Sequence, residues 1–291
     1  MKKKPEIVVA ENAGFCFGVR RAVDMAEKAL EKNGDKKVFC WGELIHNPRV
    51  VEDLKKRGMR IVDTIEKVED DSMFIVRSHG IPQDKLKKIK DPQRKIKIID
   101  TTCPFVEKAQ KSAIDFQKKG FQVVIFGDPE HVEVIGINSC VNYCGIVSDG
   151  ELSEKDEEKI SESSKIGILS QTTRKKEEFE NFAKKVKTLN EKVEVRNTIC
   201  METSRKQGEV RKMINSGDIL FVVGGKNSSN TGKLAEIGRK IGVRTYHIEN
   251  SQEIKKDWLK NCKGKIVITA GASTPDVSIE NTRQKILKLI S

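Results

Sequence analysis

The chain has 291 residues, of which 34% are charged and 37% hydrophobic, with a formal net charge of +12 and a pI near 9.3. The length allows two or three ordinary domains, and no apolar run approaches the ~20 residues that a membrane-spanning helix needs. The positive charge favours anionic partners such as nucleic acid, a membrane surface or a phosphorylated small molecule. Aromatic residues make up only 5% of the chain, which argues against a stacking platform for single-stranded nucleic acid.

Strand and helix patterns alternate along the chain, which predicts an α/β fold with mainly parallel sheets. In the first third, a polar or glycine-containing turn follows each predicted strand. These strands are residues 6–10, 38–42 and 73–77, and the predicted helices are about 19–32 and a second one ending at 57.

The remaining two thirds repeat this alternation. Strands are predicted at residues 96–99, 121–126, 165–169, 193–196, 219–223, 244–248 and 265–269, and a further extended segment at 141–147. Helices are predicted at about 103–119, up to 189, at 200–215, after 230 and up to 290, and residues 149–164 are predicted to be a solvated helix and loop.

Three cysteines recur at a nearly constant spacing. Cys16, Cys103 and Cys200 are 87 and 97 residues apart, and each ends an extended apolar run and opens an amphipathic helix. A fixed period indicates repeated structural units. We therefore predict three small α/β domains, residues 1–101, 102–198 and 199–291, in a trefoil-like arrangement about a pseudo-threefold axis. Because ligands bind beyond the carboxyl ends of parallel strands, the polar turns are expected to face one central cavity.

Three thiolates from three separate units make a poor structural zinc site. They suit an iron–sulfur cluster in which one iron has no protein ligand, with redox-sensing or structural cysteines as the alternatives. Cys140 and Cys144 form a rival pair, which the predicted strand at 141–147 disfavours. The other two cysteines, Cys40 and Cys262, are expected to pack in the core. Such cysteine use, without a signal-peptide pattern, predicts a cytoplasmic protein.

Several polar turns have the residues that bind phosphate. Three of the four histidines, His46, His79 and His131, lie in strand-end turns, and hydroxyl-rich segments at 228–230 and 273–275 open predicted helices. Helix N-termini with hydroxyl groups bind anions, although serine is also an ordinary N-cap. Glu133 lies two residues after His131. A carboxyl group beside a phosphate and a cluster has a raised pKa, which suits a general acid, whereas the alternative is an acidic residue favoured by the helix dipole.

Nine short motifs occur in order along nearly the whole chain: Gly14-Phe15-Cys16, Leu44-Ile45-His46-Asn47, Ser78-His79-Gly80, Thr102-Cys103-Pro104, His131-x-Glu133, Gln171-Thr172-Thr173, Asn197-Thr198-Ile199-Cys200, Ser228-Ser229-Asn230 and Ala270-Gly271-Ala272-Ser273. In these motifs the chain resembles the 4-hydroxy-3-methylbut-2-enyl diphosphate reductase (IspH/LytB) family. The resemblance implies a monomer with one [4Fe–4S] cluster per chain, held by Cys16, Cys103 and Cys200.

The same resemblance implies an oxidoreductase that removes the allylic hydroxyl of its substrate and yields isopentenyl and dimethylallyl diphosphate, the last step of the non-mevalonate isoprenoid pathway. Electrons are expected from a ferredoxin or a flavodoxin. Glu133 would supply a proton, with His131 and Thr172 at the reacting end. The residues implied to hold the diphosphate are His46, His79, Ser228, Asn230 and Ser273, assisted by Ser229.

The chain departs from the family pattern at four positions: Val132 stands where proline is common, Met201 and Glu202 replace a small residue and alanine, and Gln110 replaces a histidine. Negative charge at Glu202 is expected to lower the cluster's reduction potential if the side chain points inward.

Two other functions remain open from the residues alone. A cluster-bearing regulator that binds nucleic acid would show steeply salt-dependent affinity and no turnover. A non-redox phosphate-binding enzyme would keep its activity in the Cys103→Ser variant. We expect neither a nucleic-acid nor a membrane partner.

Overall fold

The computed structural model describes residues 5–226 and 228–290, with the side chain of Ser229 outside the description. Within these residues the strands are β1 (Ile7–Val9), β2 (Val38–Trp41), β3 (Met59–Val62), β4 (Met73–Val76), β5 (Lys97–Asp100), β6 (Gln122–Phe126), β7 (Ile146–Ser148), β8 (Ile166–Ser170), β9 (Val193–Arg196), β10 (Ile219–Val223), β11 (Arg244–Ile248) and β12 (Ile266–Ala270). The helices are α1 (Phe17–Glu31), α2 (Pro48–Lys56), α3 (Gln83–Ile89), α4 (Pro104–Lys118), α5 (Val132–Ser139), α6 (Glu154–Glu162), α7 (Lys176–Leu189), α8 (Met201–Met213), α9 (Ser229–Lys240) and α10 (Asp276–Ile290).

The described strands form three four-stranded sheets in which every pairing is parallel, so the predicted α/β fold class is confirmed. The sheet orders are β3-β2-β4-β5, β7-β6-β8-β9 and β1-β12-β10-β11. Read from the other edge, the third sheet has the same topology as the first two, with β1 in the place of β5 and β9. In each sheet that last strand precedes one of the three repeated cysteines.

The chain divides into two compact units. The first unit comprises the segment up to Arg20, His46–Val50 and the chain from Met201 onward, and it contains the sheet β1-β12-β10-β11. The second unit comprises Arg21–Ile45 and Val51–Cys200 and contains the other two sheets. β1 lies in the predicted first domain, residues 1–101, but the other strands of its sheet lie in the predicted third domain, residues 199–291. Each of the other two described sheets lies within one predicted domain. The residue bounds of the three domains stay predictions.

Central strands in both units are apolar on both faces. Every residue of β8, β10 and β12 is buried, as expected for parallel strands that helices cover on each side. The core around β8 includes Phe126 and Phe179, whereas the core around β10 includes Phe221. No helix in the described part of the chain is long and apolar enough to cross a bilayer.

The prediction of a strand at residues 141–147 was wrong. Cys140 caps the end of α5, and Asn142 and Tyr143 adopt φ values of 55° and 59°, so the chain turns and β7 begins only at Ile146. The left-handed backbone favours Asn and is incompatible with an extended strand. The sequence analysis also missed β3, a four-residue strand that follows the glycine at 58. The predicted surface helix at 149–164 is α6, which a Ser153–Asp156 capping box opens.

Candidate functional site

The three repeated cysteines lie in turns of one geometry. In each turn the backbone N–H of the cysteine donates a hydrogen bond to a carbonyl in the turn after a neighbouring strand, which is β12, β4 or β8. The pairs are Cys16 to Ala272 at 3.0 Å, Cys103 to Ser78 at 2.9 Å and Cys200 to Thr172 at 2.8 Å. Each cysteine is a half-buried thiol. The three cysteines therefore share one backbone hydrogen-bond pattern as well as a nearly constant spacing in the sequence.

A buried carboxyl group lies beside the turn after β8, in the second unit. Glu133 is 1% exposed and occupies the first turn of α5. Its Oε1 accepts a hydrogen bond from the backbone N–H of Thr172 at 2.6 Å, and its Oε2 accepts one from the Thr172 hydroxyl at 2.8 Å. Thr172 also provides the carbonyl that binds the N–H of Cys200. One threonine therefore connects the carboxyl group with a repeated cysteine.

Burial raises the pKa of Glu133 to about 7, and the two hydrogen bonds from Thr172 act in the opposite direction. A carboxyl group with this pKa is partly protonated near neutral pH, as a general acid must be. A solvated carboxylate held by the helix dipole, the alternative from sequence, would be exposed. Glu133 does lie in the first helical turn, but its burial and its two donors from Thr172 distinguish it from a surface residue.

Two of the predicted histidines lie beside this carboxyl group. His131 is the N-cap of α5, and its Nδ1 accepts a hydrogen bond from the N–H of Glu133 at 3.1 Å. The rings of His131 and His79 are 6.1 Å apart between centroids, in an edge-to-face arrangement. His79, His131, Glu133 and Thr172 therefore form one group within the second unit.

Gln110, which stands where the family commonly has histidine, packs beside the same group. Its Nε2 lies 2.7 Å from the position that a Cβ on Gly80 would occupy and 3.7 Å from that on Gly136. Gly80 also has a φ of 78°, which a side chain would strain. Both glycines therefore leave space for the Gln110 amide beside the turn that carries His79.

In the first unit, the turn after β12 binds the segment that carries His46. The Ser273 hydroxyl donates to the carbonyl of His46 at 3.1 Å, and the Asn47 side-chain amide donates to the carbonyl of Ser273 at 2.5 Å. The His46 side chain is exposed. A cavity of about 260 Å³ opens here, lined among others by His46, Asn47, Gly224, Gly225 and Thr274. Two predicted diphosphate ligands, His46 and Ser273, are thus brought together.

The predicted hydroxyl-rich segment at 228–230 opens α9 as expected. Ser228 is the N-cap, and its Oγ accepts hydrogen bonds from the N–H of Thr231 at 3.3 Å and from the Thr231 hydroxyl at 3.0 Å. The buried Oδ1 of Asn230 has no hydrogen-bond partner among the described residues. A buried polar atom without a partner destabilises the folded protein unless a ligand or a water molecule binds it. The side chain of Ser229, also a predicted ligand, lies outside the described part.

The donor set fits an iron–sulfur cluster. Thiolates are the usual ligands of such clusters, and three half-buried thiols are presented by matched turns. Within the described residues, no three His, Cys, Asp or Glu side chains could share a single metal ion. A cluster binds each cysteine at a different iron, so this finding concerns single-ion sites. The rival pair Cys140 and Cys144 lies in the turn after α5, where the Cys140 Sγ contacts the carbonyl of Gly136.

Three parallel sheets of one topology, each ending in a strand that leads to a cysteine turn, define a class of three-sheet α/β proteins. The chain belongs to the LytB protein family, whose model matches residues 7–287.

Named relatives support this assignment. The chain is 42% identical over 287 residues to the 4-hydroxy-3-methylbut-2-enyl diphosphate reductase of Caldanaerobacter subterraneus, covering 98% of this chain and 97% of the relative. Its identity to the reductase of the same name from Aquifex aeolicus is 37%, covering 98% and 96% of the two chains.

Solved structures agree with the sequence relatives. A structure described as (E)-4-hydroxy-3-methyl-but-2-enyl diphosphate reductase, the terminal enzyme of the non-mevalonate pathway, matches with a TM-score of 0.81 and 36% identity, over 98% of this chain and 99% of that one. The reductase from Plasmodium falciparum matches with a TM-score of 0.81 and 26% identity, over 99% and 89% of the two chains. The family resemblance expected from the motifs is confirmed.

Sequence reasoning missed two residues that hold the Cys16 loop, Lys206 and Glu209 of α8. The sequence did contain one indication that Lys206 faces the protein interior: it lies four residues before the apolar Val210, so the two share a helical face. Lys206 is 2% exposed and Val210 is fully buried, so this face of α8 points into the protein.

Proposed function

We propose that the chain reductively removes the allylic hydroxyl group of 4-hydroxy-3-methylbut-2-enyl diphosphate and releases isopentenyl and dimethylallyl diphosphate. In this reaction a C–O bond breaks, the hydroxyl leaves as water, and two electrons and two protons enter. Membership of the LytB family and the named relatives support the assignment. The single structural observation that carries it is the buried Glu133 carboxyl group, joined through Thr172 to the turn of Cys200.

Cys16, Cys103 and Cys200 are proposed to hold one [4Fe–4S] cluster per chain. When bound, such a cluster supplies electrons and, at the iron without a protein ligand, a Lewis acid. The three matched hydrogen bonds from cysteine N–H groups to turn carbonyls support the proposal, because they fix the backbone of each cysteine without using its sulfur.

Glu133 is proposed to hold one of the two protons that the reaction consumes. Its pKa of about 7 keeps a protonated population at neutral pH, and its burial excludes bulk water from the carboxyl oxygens. Thr172 fixes both oxygens of the carboxyl group, so the proton donor has one orientation. His131, which accepts the N–H of Glu133, fixes the first turn of α5 and lines the reacting end of the substrate with Thr172.

The diphosphate is proposed to bind His46, His79, Ser228, Asn230 and Ser273, with Ser229 assisting. Hydroxyl, amide and imidazole donors suit phosphate oxygens. The unpartnered Oδ1 of Asn230 supports this, since rotation of the amide group would present its N–H side to an anion at the same position. The fit of Ser273 against the His46 segment supports a common role for these two residues.

We further propose that the protein acts as a cytoplasmic monomer and receives electrons from a ferredoxin or a flavodoxin. The cysteine use of the chain supports the location, and the family resemblance supports the monomeric state and the electron donors.

Anaerobic purification tests the function as a whole. Iron, sulfide and visible absorption are measured with and without the substrate diphosphate, followed by turnover with a reduced ferredoxin. We expect a cluster spectrum that shifts when the substrate is added, and we expect Cys103→Ser to lose both the iron and the turnover. Full activity in Cys103→Ser would instead support a non-redox phosphate-binding enzyme. Cys144→Ser, which changes an exposed cysteine, is the matched control.

A further inference from the structure

A buried lysine of α8 holds the loop that leads to Cys16. The Nζ of Lys206 donates hydrogen bonds to the carbonyl oxygens of Asn12 and Gly14, the second at 2.8 Å. Both carbonyls belong to the irregular segment 10–16 between β1 and α1. Because removing an ammonium group from water costs free energy unless it is hydrogen-bonded, a lysine that is 2% exposed depends on these partners.

One turn further along α8, Glu209 binds the opposite kind of backbone group in the same segment. Its carboxylate accepts hydrogen bonds from the N–H of Glu11 at 2.7 Å and from the N–H and side-chain amide of Asn12 at 3.1 and 3.0 Å. Lys206 and Glu209, here called the α8 clamp, therefore meet both acceptors and donors of one loop. Asn12 contacts both members of the clamp.

The loop has little freedom on its other side. Gly14 has a φ of 90°, and a Cβ there would lie 2.9 Å from Ile279 Cδ1 and 3.1 Å from Asp276 Oδ1. The N–H of Cys16 donates to the carbonyl of Ala272. Cys16 is thus fixed by its own backbone bond and, two to five residues earlier, by the clamp.

The clamp also brings a cation into the neighbourhood of Cys16. Burial lowers the pKa of Lys206, whereas Cys16, Glu202 and Glu209 act to raise it and Arg20 acts to lower it. The main observation is the geometry, because the charged side chains of Lys206 and Glu209 both hydrogen-bond the loop before Cys16.

We propose that Lys206, supported by Glu209, is a positioning residue that holds Cys16 in the conformation that binds the cluster. This inference rests on the proposed role of Cys16 as a cluster ligand. Because α8 begins at the residue after Cys200, a single helix follows one proposed ligand and holds the loop of another. Retention of the cluster should therefore depend on a side chain that touches neither substrate nor iron.

The first measurement uses the cluster-loaded protein. Lys206→Met keeps the length of the side chain and removes its charge and donors, Lys206→Arg restores donors, and Lys212→Met changes an exposed lysine of the same helix. A chelator is added anaerobically, and iron loss is followed by visible absorption. We expect loss to be about tenfold faster in Lys206→Met, because hydrogen bonds from a charged donor are removed. Lys206→Arg should recover much of the retention, and Lys212→Met should match the unmodified chain.

The second measurement uses the protein without its cluster and does not depend on activity. Each cysteine is alkylated with iodoacetamide, and the rates are read by mass spectrometry, with Cys103 and Cys200 as references within the same chain. A positioning role predicts a severalfold change in the rate of Cys16 alone. An equal change at all three cysteines would mean general loosening and would overturn the inference.

The two proposals fail in different ways. If the unmodified chain never takes up iron, the proposed function fails and the alkylation rates alone decide whether the clamp holds Cys16. If the chain does take up a cluster, unchanged iron loss together with an unchanged Cys16 rate in Lys206→Met overturns the clamp. Should Lys206→Met fail to fold, Glu209→Gln, which removes the charge and one acceptor oxygen, is measured in the same way.

Discussion

Thr172 donates both its backbone N–H and its hydroxyl to the carboxyl group of Glu133, at 2.6 and 2.8 Å. The two residues are 39 positions apart in the chain: Glu133 lies at the start of α5, which follows β6, and Thr172 follows β8 of the same sheet. Burial raises the pKa of the carboxyl group, and the two donors partly offset that rise. The balance leaves a buried acid that gains and loses its proton near neutral pH.

Replacing the acid should separate proton delivery from binding. We expect Glu133→Gln to keep its iron content and its spectral response to substrate, and to lose about 10²- to 10⁴-fold in turnover, the usual contribution of a general acid. Single-turnover product formation by the reduced protein measures this. Glu130→Gln, an exposed neighbour, is the control. Turnover within a few-fold of the unmodified chain would remove Glu133 from the mechanism.

The Thr172 hydroxyl should set the pH range of activity. Thr172→Val keeps the shape of the side chain and removes one hydrogen bond that lowers the pKa of Glu133, so that pKa should rise above about 7. The loss of turnover at alkaline pH should then begin at a higher pH, although the rate itself falls. A pH profile of turnover checks this, with Thr173→Val as the matched control. An alkaline limb that stays in place would contradict the assignment of that limb to Glu133.

Glu133 should also make stability depend on pH. Its pKa in the folded protein is raised from 4.5 to about 7, so between these values the folded state binds a proton that the unfolded state has lost. The free energy of unfolding should therefore fall as pH rises through this window, by on the order of 3 kcal/mol in total. Urea unfolding of the cluster-free protein at pH 5 and pH 8 measures the change.

Glu133→Gln is the reference for that comparison, because its side chain does not titrate. The difference between the two proteins should favour the unmodified chain at pH 5 and shrink or reverse at pH 8. Parallel curves for the two proteins would show that the pKa of the buried carboxyl group is not raised.

Glu202, an unusual residue next to a proposed ligand, should have only a modest effect on the reduction potential. Its side chain is 22% exposed, and its Oε1 lies 3.2 Å from Arg205 Nη1, so a cation already balances its charge. We expect Glu202→Ala to raise the potential slightly and Arg205→Ala to lower it. Anaerobic redox titration decides the matter. Identical potentials in the three proteins would mean that neither charge reaches the cluster.

Short-range patterns were sufficient to predict the strand-end turns, including those that hold Cys16, Cys103 and Cys200. A strand, a turn and a helix start are local events, and their residues lie together in the sequence. The burial of Glu133 could not be predicted in the same way, because it depends on Thr172 of a different turn. The burial of Lys206 could not be predicted either, since its carbonyl partners are 192 and 194 residues away in the chain.

Strand pairing was the second feature that could not be predicted from the sequence. Parallel strands can pair across any length of chain, so nothing in residues 7–9 indicates that β1 pairs with β12. The error at residues 141–147 had a local cause. Valine and isoleucine favoured a strand, whereas two consecutive residues in the left-handed region turned the chain before the strand began.

The position of β1 has a consequence for biosynthesis. β1 is translated before the other strands of its sheet, and that sheet is not complete until β12 emerges, more than 250 residues later. The sheets that precede Cys103 and Cys200 can form while the chain is still growing. Cys16, which is fixed through Ala272, reaches its final setting only after β12 and the turn that follows it have been translated. Loading of the proposed cluster, which would use all three cysteines, would therefore follow the translation of β12.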